Sequence, residues 1–184
     1  MTTDKQTRVA VLLGSHRAGS LNRRIAEHLR DHAPAGVTVD VVEGLDTIPF
    51  YSEEIDGDTV PAGASALRQA VAGADRVLAV TPEYNGTMPA VLNNAIDWLS
   101  RPYGQGAIVG KPFAAIGATP TPYGGKWSHE HARHSATIAG AVVVEGIVVD
   151  ESAVEGDPLQ NEEAIQRFLG ALDALVAHEV EAAA

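Results

Sequence analysis

Apolar positions along this chain follow two different spacings. Short continuous apolar runs rich in β-branched residues are typical of strands that are buried on both faces of a sheet. Five such runs are present, at residues 8–13, 37–42, 75–80, 111–118 and 141–149. We therefore expect five buried strands.

Between these runs, apolar residues recur every three or four positions, which predicts amphipathic helices. Leu21, Ile25 and Leu29 mark a helix that starts near Ser20. Further helices are expected near residues 67–74, 88–99, 125–138 and 165–176. The stretch after Gly44 has no such period and many turn formers, which predicts a long surface loop.

Strands and helices thus alternate five times, which is the pattern of a doubly wound parallel sheet in one domain covering residues 1–184. Ligands of such sheets bind beyond the carboxyl ends of the strands, where the strand order reverses. Three loops leave strands in that position, after Leu13, Val80 and Ala118.

Composition narrows the possible functions. The chain has no cysteine, which excludes disulfides, thiolate catalysis and cysteine-rich metal centres. Its formal charge of −11 argues against a nucleic-acid partner, because such proteins need a basic surface. No apolar stretch approaches the length of a membrane span, and the start, MTTDKQTR, is polar. We therefore expect a cytoplasmic protein that binds neither nucleic acid nor membrane.

The loop GSHRAGS, residues 14–20, has the composition of a phosphate-binding loop. A helix N-terminus presents unpaired N–H groups and partial positive charge, and small residues let an anion approach them. Ser15, Ser20, Arg17 and Asn22 supply hydroxyl, guanidinium and amide donors. A P-loop lysine is missing, which favours a terminal monophosphate over a nucleoside triphosphate. Alternatively, Ser20 only caps the helix and Arg17 is a solvated surface residue.

The loop TPEYNGTMP, residues 81–89, adds a stiff surface with several polar groups. Pro82 restricts the backbone, and Gly86 leaves room for a flat ligand against it. Tyr84 supplies an aromatic ring, and Asn85 can hydrogen-bond either edge of a heteroaromatic system. The two loops together suit a ligand with a phosphate tail and a planar head. A tight connection between strand and helix would also explain the proline and the glycine.

In combination, the two loops resemble the NAD(P)H-dependent FMN reductase family, which includes flavodoxin-like quinone, chromate and azo reductases. The family pattern is G-S-x-R-x-x-S-x-N, then P-E-Y-N-x-S-x-P followed by K-N-A-I-D-W and S-R-P. This chain reads GSHRAGSLNRRIA and PEYNGTMPAVLNNAIDWLSRP, with Thr87 for serine and Asn93 for lysine. The resemblance implies a flavodoxin-like, doubly wound, five-stranded parallel sheet with strand order 2-1-3-4-5.

The resemblance also implies FMN as cofactor and a set of residues that bind it. The first loop would hold the phosphate through Ser15, Arg17, Ser20 and Asn22, with Leu21 also among the cofactor-binding residues. The second loop would line the isoalloxazine ring with Pro82, Glu83, Tyr84, Asn85 and Gly86. The third loop, GATPTPYGGKW at residues 117–127, resembles the family only in part. It would add Thr119, Gly124 and Gly125.

The activity implied by the family is hydride transfer from NADPH or NADH to FMN, and onward transfer to a small acceptor. Quinones, free flavin, chromate and azo compounds are candidate acceptors. Since FMN carries this chemistry, no side chain is assigned as acid, base or nucleophile. Two other functions stay open: a flavodoxin-type electron carrier without direct NAD(P)H reactivity, and a nucleotide-binding regulator without redox activity.

Family members form homodimers or homotetramers, so the resemblance implies one of these assemblies here. Trp98 and Tyr103 are apolar candidates for the subunit surface. Packing of Trp98 inside the core is an equal alternative, because this residue lies beside an apolar helix stripe.

Two polar clusters could suggest a metal, but we expect none. Among His129, His131 and His134, only the last two share a helix face, and no carboxylate of suitable spacing joins them. We interpret all three as ordinary helix histidines. The segment EEIDGD, residues 53–58, resembles the start of a calcium loop but lacks the closing glutamate. This segment is expected to be a solvated loop.

Overall fold

The computed structural model describes residues 6–179, in which five helices surround a parallel sheet. The strands are β1 (Thr7–Leu13), β2 (Val37–Val42), β3 (Arg76–Val80), β4 (Pro112–Thr119), β5 (Val142–Val143) and β6 (Val149–Ser152). The helices are α1 (Leu21–Asp31), α2 (Ala62–Ala72), α3 (Ala90–Leu99), α4 (Lys126–Ile138) and α5 (Glu162–Ala177). The sheet order is β2-β1-β3-β4-β5, with β6 also paired to β4. The predicted flavodoxin-like order 2-1-3-4-5 is confirmed.

The fifth strand differs from the prediction, because residues 141–149 do not form one continuous element. Instead, β5 pairs with the first two residues of β4, and β6 pairs with the last four. Between them the chain turns, and the Ile147 N–H donates to the Val144 carbonyl over 3.0 Å. Gly146 lies in this turn, and a glycine inside a strand pattern often marks such an interruption.

Each face of the sheet carries its own apolar core. Val9, Val11 and Leu13 of β1 pack with α1 and α5, whereas Ala10 and Leu12 pack with α2, α3 and α4. This alternation along one strand reflects the two-residue period of β structure. The sheet is therefore buried on both sides, which leaves its carboxyl edge as the place where loops can form a site. Within residues 6–179, no helix has both the length and the apolar character needed to cross a bilayer.

The loop predicted after Gly44 is only partly a surface loop. It contains two short 3₁₀ turns, and the side chains of Leu45 and Ile48 are buried in the core. Trp98 of α3 is fully buried as well, and its Nε1–H donates to the Pro49 carbonyl over 2.8 Å. Trp98 therefore belongs to the core and not to a subunit surface. This loop has no helical or strand period, but burial of its few apolar side chains is enough to hold it against α3.

Candidate functional site

The loop after β1 connects the sheet to the N-terminus of α1. Ser20 caps the helix, because its Oγ accepts the Arg23 N–H over 3.1 Å. Ser15 and Ser20 are buried, whereas His16 and Arg17 are exposed. Capping uses only the acceptor side of the Ser20 oxygen, so its hydroxyl proton is still available to an anion. The helix cap and the phosphate site are therefore compatible roles for this residue.

Arg17 is the cation of this loop that the fold does not use. It makes no ion pair with any other residue in the described range 6–179. By contrast, Arg23 of α1 forms a two-pronged pair with Glu43 at 2.8 and 2.9 Å, and Arg24 binds Asp157 at 2.6 Å. A planar guanidinium with free N–H groups at a helix N-terminus can bind a phosphate.

Asn22, in the first turn of α1, is engaged elsewhere. Its Nδ2 donates to the Ala118 carbonyl over 2.8 Å, and its Oδ1 accepts the Ala118 N–H over 2.9 Å. Because both ends of the buried carboxamide are bonded, Asn22 holds the end of β4 against α1. Its direct contact with a phosphate stays a prediction. Leu21 is half-buried as the first residue of α1.

The loop after β3 projects a tight two-residue turn. The N–H of Tyr84 donates to the Thr87 carbonyl over 3.0 Å, and the N–H of Thr87 donates back to Tyr84 over 3.1 Å. Asn85 and Gly86 both have positive φ, 52° and 72°, as in a type I′ turn. A Cβ at Gly86 would meet no atom within 4 Å, so its open face is accessible to a flat molecule.

Pro82 and Glu83 connect this loop to α4. The Glu83 carboxylate accepts the backbone N–H groups of Trp127 and Ser128 at 3.1 and 3.3 Å, and the Ser128 hydroxyl donates to the Pro82 carbonyl at 2.7 Å. Glu83 thus caps the start of α4 from a distant part of the chain. Contact of its side chain with the flavin ring stays a prediction.

The loop after β4 is held close to the β6 backbone. A Cβ on Gly124, where φ is 64°, would lie 2.2 Å from the Asp150 carbonyl oxygen, so glycine is required there. Gly125 also has positive φ, 95°, and precedes the first residue of α4. Thr119 is buried, and its Oγ1 lies 2.9 Å from Thr121 Oγ1.

All three loops leave the same edge of the sheet. The Gly14 N–H donates to the Val80 carbonyl over 2.9 Å, and the Thr81 N–H donates to the Ile116 carbonyl over 3.0 Å. These bonds extend the sheet ladder from β1 to β3 and from β3 to β4, directly below the loops. The expectation that the loops lie together is therefore correct. The exposed Arg17 guanidinium and the open turn at Asn85 and Gly86 therefore belong to loops at the same edge of the sheet.

Sequence reasoning gave His129 no role, yet it is fully buried between these loops. Its Nδ1 lies 2.5 Å from Asp150 Oδ1, and its Nε2 lies 3.1 Å from the Thr81 carbonyl oxygen. His131 is exposed, and its Nδ1 lies 2.8 Å from Thr87 Oγ1. No group of metal ligands occurs among residues 6–179. The single signal in the sequence for a special role of His129 is that a polar residue occupies a position on the buried face of α4.

The acidic segment at residues 53–58 has a structural role. Asp56 receives two short hydrogen bonds from Arg68 of α2, at 2.6 and 2.7 Å. These bonds are the main reason that the pKa of Asp56 lies below its usual value. The expectation of a fully solvated loop is thus wrong for Asp56, whose side chain is only 10% exposed.

The chain is similar in sequence to known reductases. Residues 7–155 match the profile of the family described as NADPH-dependent FMN reductase. A 2-hydroxy-1,4-benzoquinone reductase from a Burkholderia species is 43% identical over 126 residues, which is 68% of each chain. A quinone reductase of Escherichia coli K12 is 36% identical over 141 residues, 76% of this chain and 74% of its own.

Solved structures are similar over almost the whole chain. The flavoenzyme FerB from Paracoccus denitrificans, an NAD(P)H:acceptor oxidoreductase, superposes with a TM-score of 0.81 at 29% identity, over 92% of this chain and 95% of its own. An FMN-dependent NADH-azoreductase from Bacillus anthracis, solved with FMN, gives a TM-score of 0.64 over 92% of this chain and 99% of its own. At 13% identity, this second likeness concerns the fold alone.

Proposed function

The chain belongs to the NADPH-dependent FMN reductase family, and from this premise we propose that it is an NAD(P)H-dependent FMN oxidoreductase that reduces a small acceptor such as a quinone. One observation supports this proposal most: the loops that contain the unpaired Arg17 and the open turn at Asn85 and Gly86 lie at the same edge of the sheet. FMN supplies the redox chemistry when it is bound. The protein supplies binding, orientation and electrostatics.

The phosphate end of the cofactor is assigned to the loop after β1. Arg17 gives a charge-assisted hydrogen bond, and Ser15 and Ser20 add hydroxyl donors. The N-terminus of α1 contributes its partial positive charge in the same direction. Leu21 and Asn22 shape this loop from the first turn of the helix, and Asn22 fixes it to β4.

The ring end is assigned to the loops after β3 and β4. The turn bonds use the N–H groups of Tyr84 and Thr87, while those of Asn85 and Gly86 have no acceptor among residues 6–179. Fixed N–H groups of this kind stabilise negative charge that develops on a bound ring. The remaining assigned residues complete the floor and sides of the ring site: Pro82, Glu83, Thr119, Gly124 and Gly125.

A homodimer or homotetramer is part of the proposal, with Tyr103 on the subunit surface. Tyr103 is 86% exposed, which is unusual for a large aromatic side chain and marks a candidate contact surface. We also place the protein in the cytoplasm, which fits its lack of cysteine.

Anaerobic absorbance spectroscopy tests the proposed activity. Purified protein is mixed with FMN, then with NADPH or NADH, and finally with a simple benzoquinone. Rapid bleaching of the flavin followed by its return to the oxidised spectrum on quinone addition is expected. A flavin that binds but stays oxidised in the presence of both nicotinamides would favour the electron carrier. A protein that retains no yellow colour after gel filtration would favour the nucleotide-binding regulator.

A further inference from the structure

Two exposed aromatic side chains lie together where the loop after β4 leads into α4. The ring centroids of Tyr123 and Trp127 are 4.8 Å apart, with 54° between the ring planes, and the two residues are 60% and 38% exposed. A tight turn brings them together, because the Lys126 N–H donates to the Tyr123 carbonyl over 3.1 Å. Exposed apolar area is unfavourable in water, so two neighbouring rings left open to solvent indicate a binding surface.

Contacts of α4 hold this aromatic pair beside the open turn that follows β3. On one side of the turn, the Glu83 carboxylate accepts the Trp127 N–H over 3.1 Å. On its other side, Thr87 Oγ1 lies 2.8 Å from Nδ1 of His131. Residues four positions apart lie on the same face of a helix, so Trp127 and His131 share one face of α4. That face therefore borders the turn that we assign to the flavin ring.

The aromatic pair belongs to the loop in which the chain resembles the family pattern only in part, GATPTPYGGKW at residues 117–127. The other two loops carry the motifs to which the FMN contacts are assigned. Loops on a fixed scaffold can vary in the ligands that they recognise while the scaffold stays the same. A change in this loop can therefore alter which second molecule fits beside the cofactor.

The size of the pair favours a small planar molecule over a second protein surface. At about 150–250 Å² for each aromatic side chain, the exposed fractions amount to roughly 200 Å² in total. A stable protein–protein contact buries about 800 Å² on each partner. One face of a fused-ring molecule needs only a small area of this order.

The charges around the pair favour a neutral ring over an anion. The neighbouring Lys126 ammonium lies 3.9 Å from the Glu130 carboxylate, and Glu83 approaches the Trp127 backbone. Two carboxylates thus accompany one ammonium, so an anion gains no net attraction here. Aromatic side chains pack well against other planar rings, in offset or edge-to-face arrangements. Among the candidate acceptors, a quinone has such a ring, whereas chromate is an anion without one.

We propose that Tyr123 and Trp127 form an aromatic wall of the acceptor site, against which the ring of a neutral quinone packs. The assignment rests on the proposed function, since it places the wall beside the site of the flavin ring. The wall binds the quinone and adds no step to the reaction. Tyr123 and Trp127 are therefore specificity-determining residues that favour planar aromatic acceptors.

The two tryptophans of the chain allow a direct test of binding. Trp98 is fully buried with its Nε1–H bonded to the Pro49 carbonyl, whereas Trp127 is exposed, so their indole N–H signals in NMR report on different places. The oxidised, FMN-loaded protein is titrated with menadione, a naphthoquinone, in the absence of nicotinamide so that no turnover occurs. We expect the Trp127 signal to shift and the Trp98 signal to stay. Trp127→Phe assigns the two signals.

Steady-state kinetics test the selectivity. In Trp127→Leu and in Tyr123→Leu, the KM for menadione should rise roughly three- to tenfold, because a ring–ring contact is lost. The KM for ferricyanide, an anion without an aromatic ring, should change much less. Trp127→Phe should recover most of the affinity for menadione. Ile138→Ser is the matched control, since Ile138 is an exposed apolar residue at the other end of α4, and it should give wild-type KM values.

Three results would overturn the inference. The first is a Trp127 signal that does not move up to the solubility limit of menadione. The second is a Trp127 signal that responds to NADP⁺ and not to menadione, which would assign the wall to the hydride donor. The third is a smaller assembly of Trp127→Leu in sedimentation with an unchanged KM for menadione, which would assign the pair to a subunit contact.

Failure of the proposed function gives a different result. A wild type that binds no FMN, or that does not reduce menadione with either nicotinamide, refutes the reductase. The indole titration of the FMN-free protein then still decides whether Trp127 binds the quinone ring.

Discussion

At the scale of single residues, some polar side chains of the candidate site have no partner in the described chain, whereas others are hydrogen-bonded within the fold. Arg17 is exposed and has no ion-pair partner in the described chain, whereas Asn22 and Glu83 are hydrogen-bonded to backbone groups of other elements. A side chain has a limited number of donors and acceptors, so these bonds limit what else it can bind. We therefore expect recognition of the proposed phosphate to depend mainly on Arg17 and the loop hydroxyls.

Replacement of Arg17 by alanine should weaken FMN binding by about 1.5–3 kcal/mol, the range for a hydrogen bond to a charged group. The fold should be unaffected, because the side chain packs against nothing that the substitution would uncover. Fluorescence titration of FMN with the apo protein measures this change. Arg30→Ala, at the far end of α1, is the control and should leave the dissociation constant unchanged. An unaltered constant for Arg17→Ala would remove this residue from the site.

At the scale of elements, the segment between β2 and α2 is held in place by a few specific contacts with the helices. Asn94 of α3 accepts the Tyr51 N–H over 2.9 Å, and the Asp56–Arg68 pair fixes the following turn to α2. The carboxylate and guanidinium of this pair are only 10% and 19% exposed. Partly buried, doubly hydrogen-bonded pairs contribute more to stability than exposed ones, so this contact anchors the segment.

Acid should therefore loosen this segment. Since Arg68 lowers the pKa of folded Asp56, the pair stabilises the fold above the unfolded-state pKa, and this contribution is lost as the pH falls through the folded value. We expect Asp56→Asn to lower the unfolding temperature at neutral pH and to reduce its decline in acid. Calorimetry across the acid range measures both effects. Asp40→Asn, which removes an exposed partner of Arg8, should change the profile much less; an equal change would contradict this account.

At the scale of the whole molecule, one sheet with two buried faces leaves a single carboxyl edge for function. The chain as a whole is acidic, with a formal charge of −11, so it does not attract polyanions. The loop that we propose to bind the phosphate would rely instead on its local cation, Arg17. The proposed recognition of one phosphate is therefore compatible with the acidic charge of the whole chain.

Replacement of Tyr103 by serine tests the proposed assembly. If this exposed ring lies between subunits, the substitution removes apolar contact area and shifts the protein toward smaller species. Sedimentation velocity over a concentration series measures the distribution. Val154→Ser, an exposed apolar residue that follows β6, is the matched control and should sediment like the wild type. A wild type that is monomeric at all concentrations would contradict the homodimer and homotetramer alike.

The sequence by itself determined the alternating architecture and the edge of the sheet at which the candidate loops lie. Continuous apolar runs specified strands buried on both faces, and the helical periods between them required parallel connections. The strand order implied by the family resemblance makes β1 and β3 neighbours, and their observed pairing brings the ends of both strands, which lead into residues 14–20 and 81–89, to the same edge. Such features depend on local patterns and on the few ways in which a parallel sheet can be connected.

Only the tertiary structure decided how individual polar and aromatic side chains are used. Asn22 and Ala118 are 96 positions apart, and Glu83 and Trp127 are 44 apart. The partners of His129 lie in β6 and in the loop after β3. Trp98 is buried because the irregular segment before α2 folds over it. Hydrogen-bond partners and burial depend on residues that the fold brings together from distant parts of the chain. A local sequence pattern therefore does not predict which residues these are.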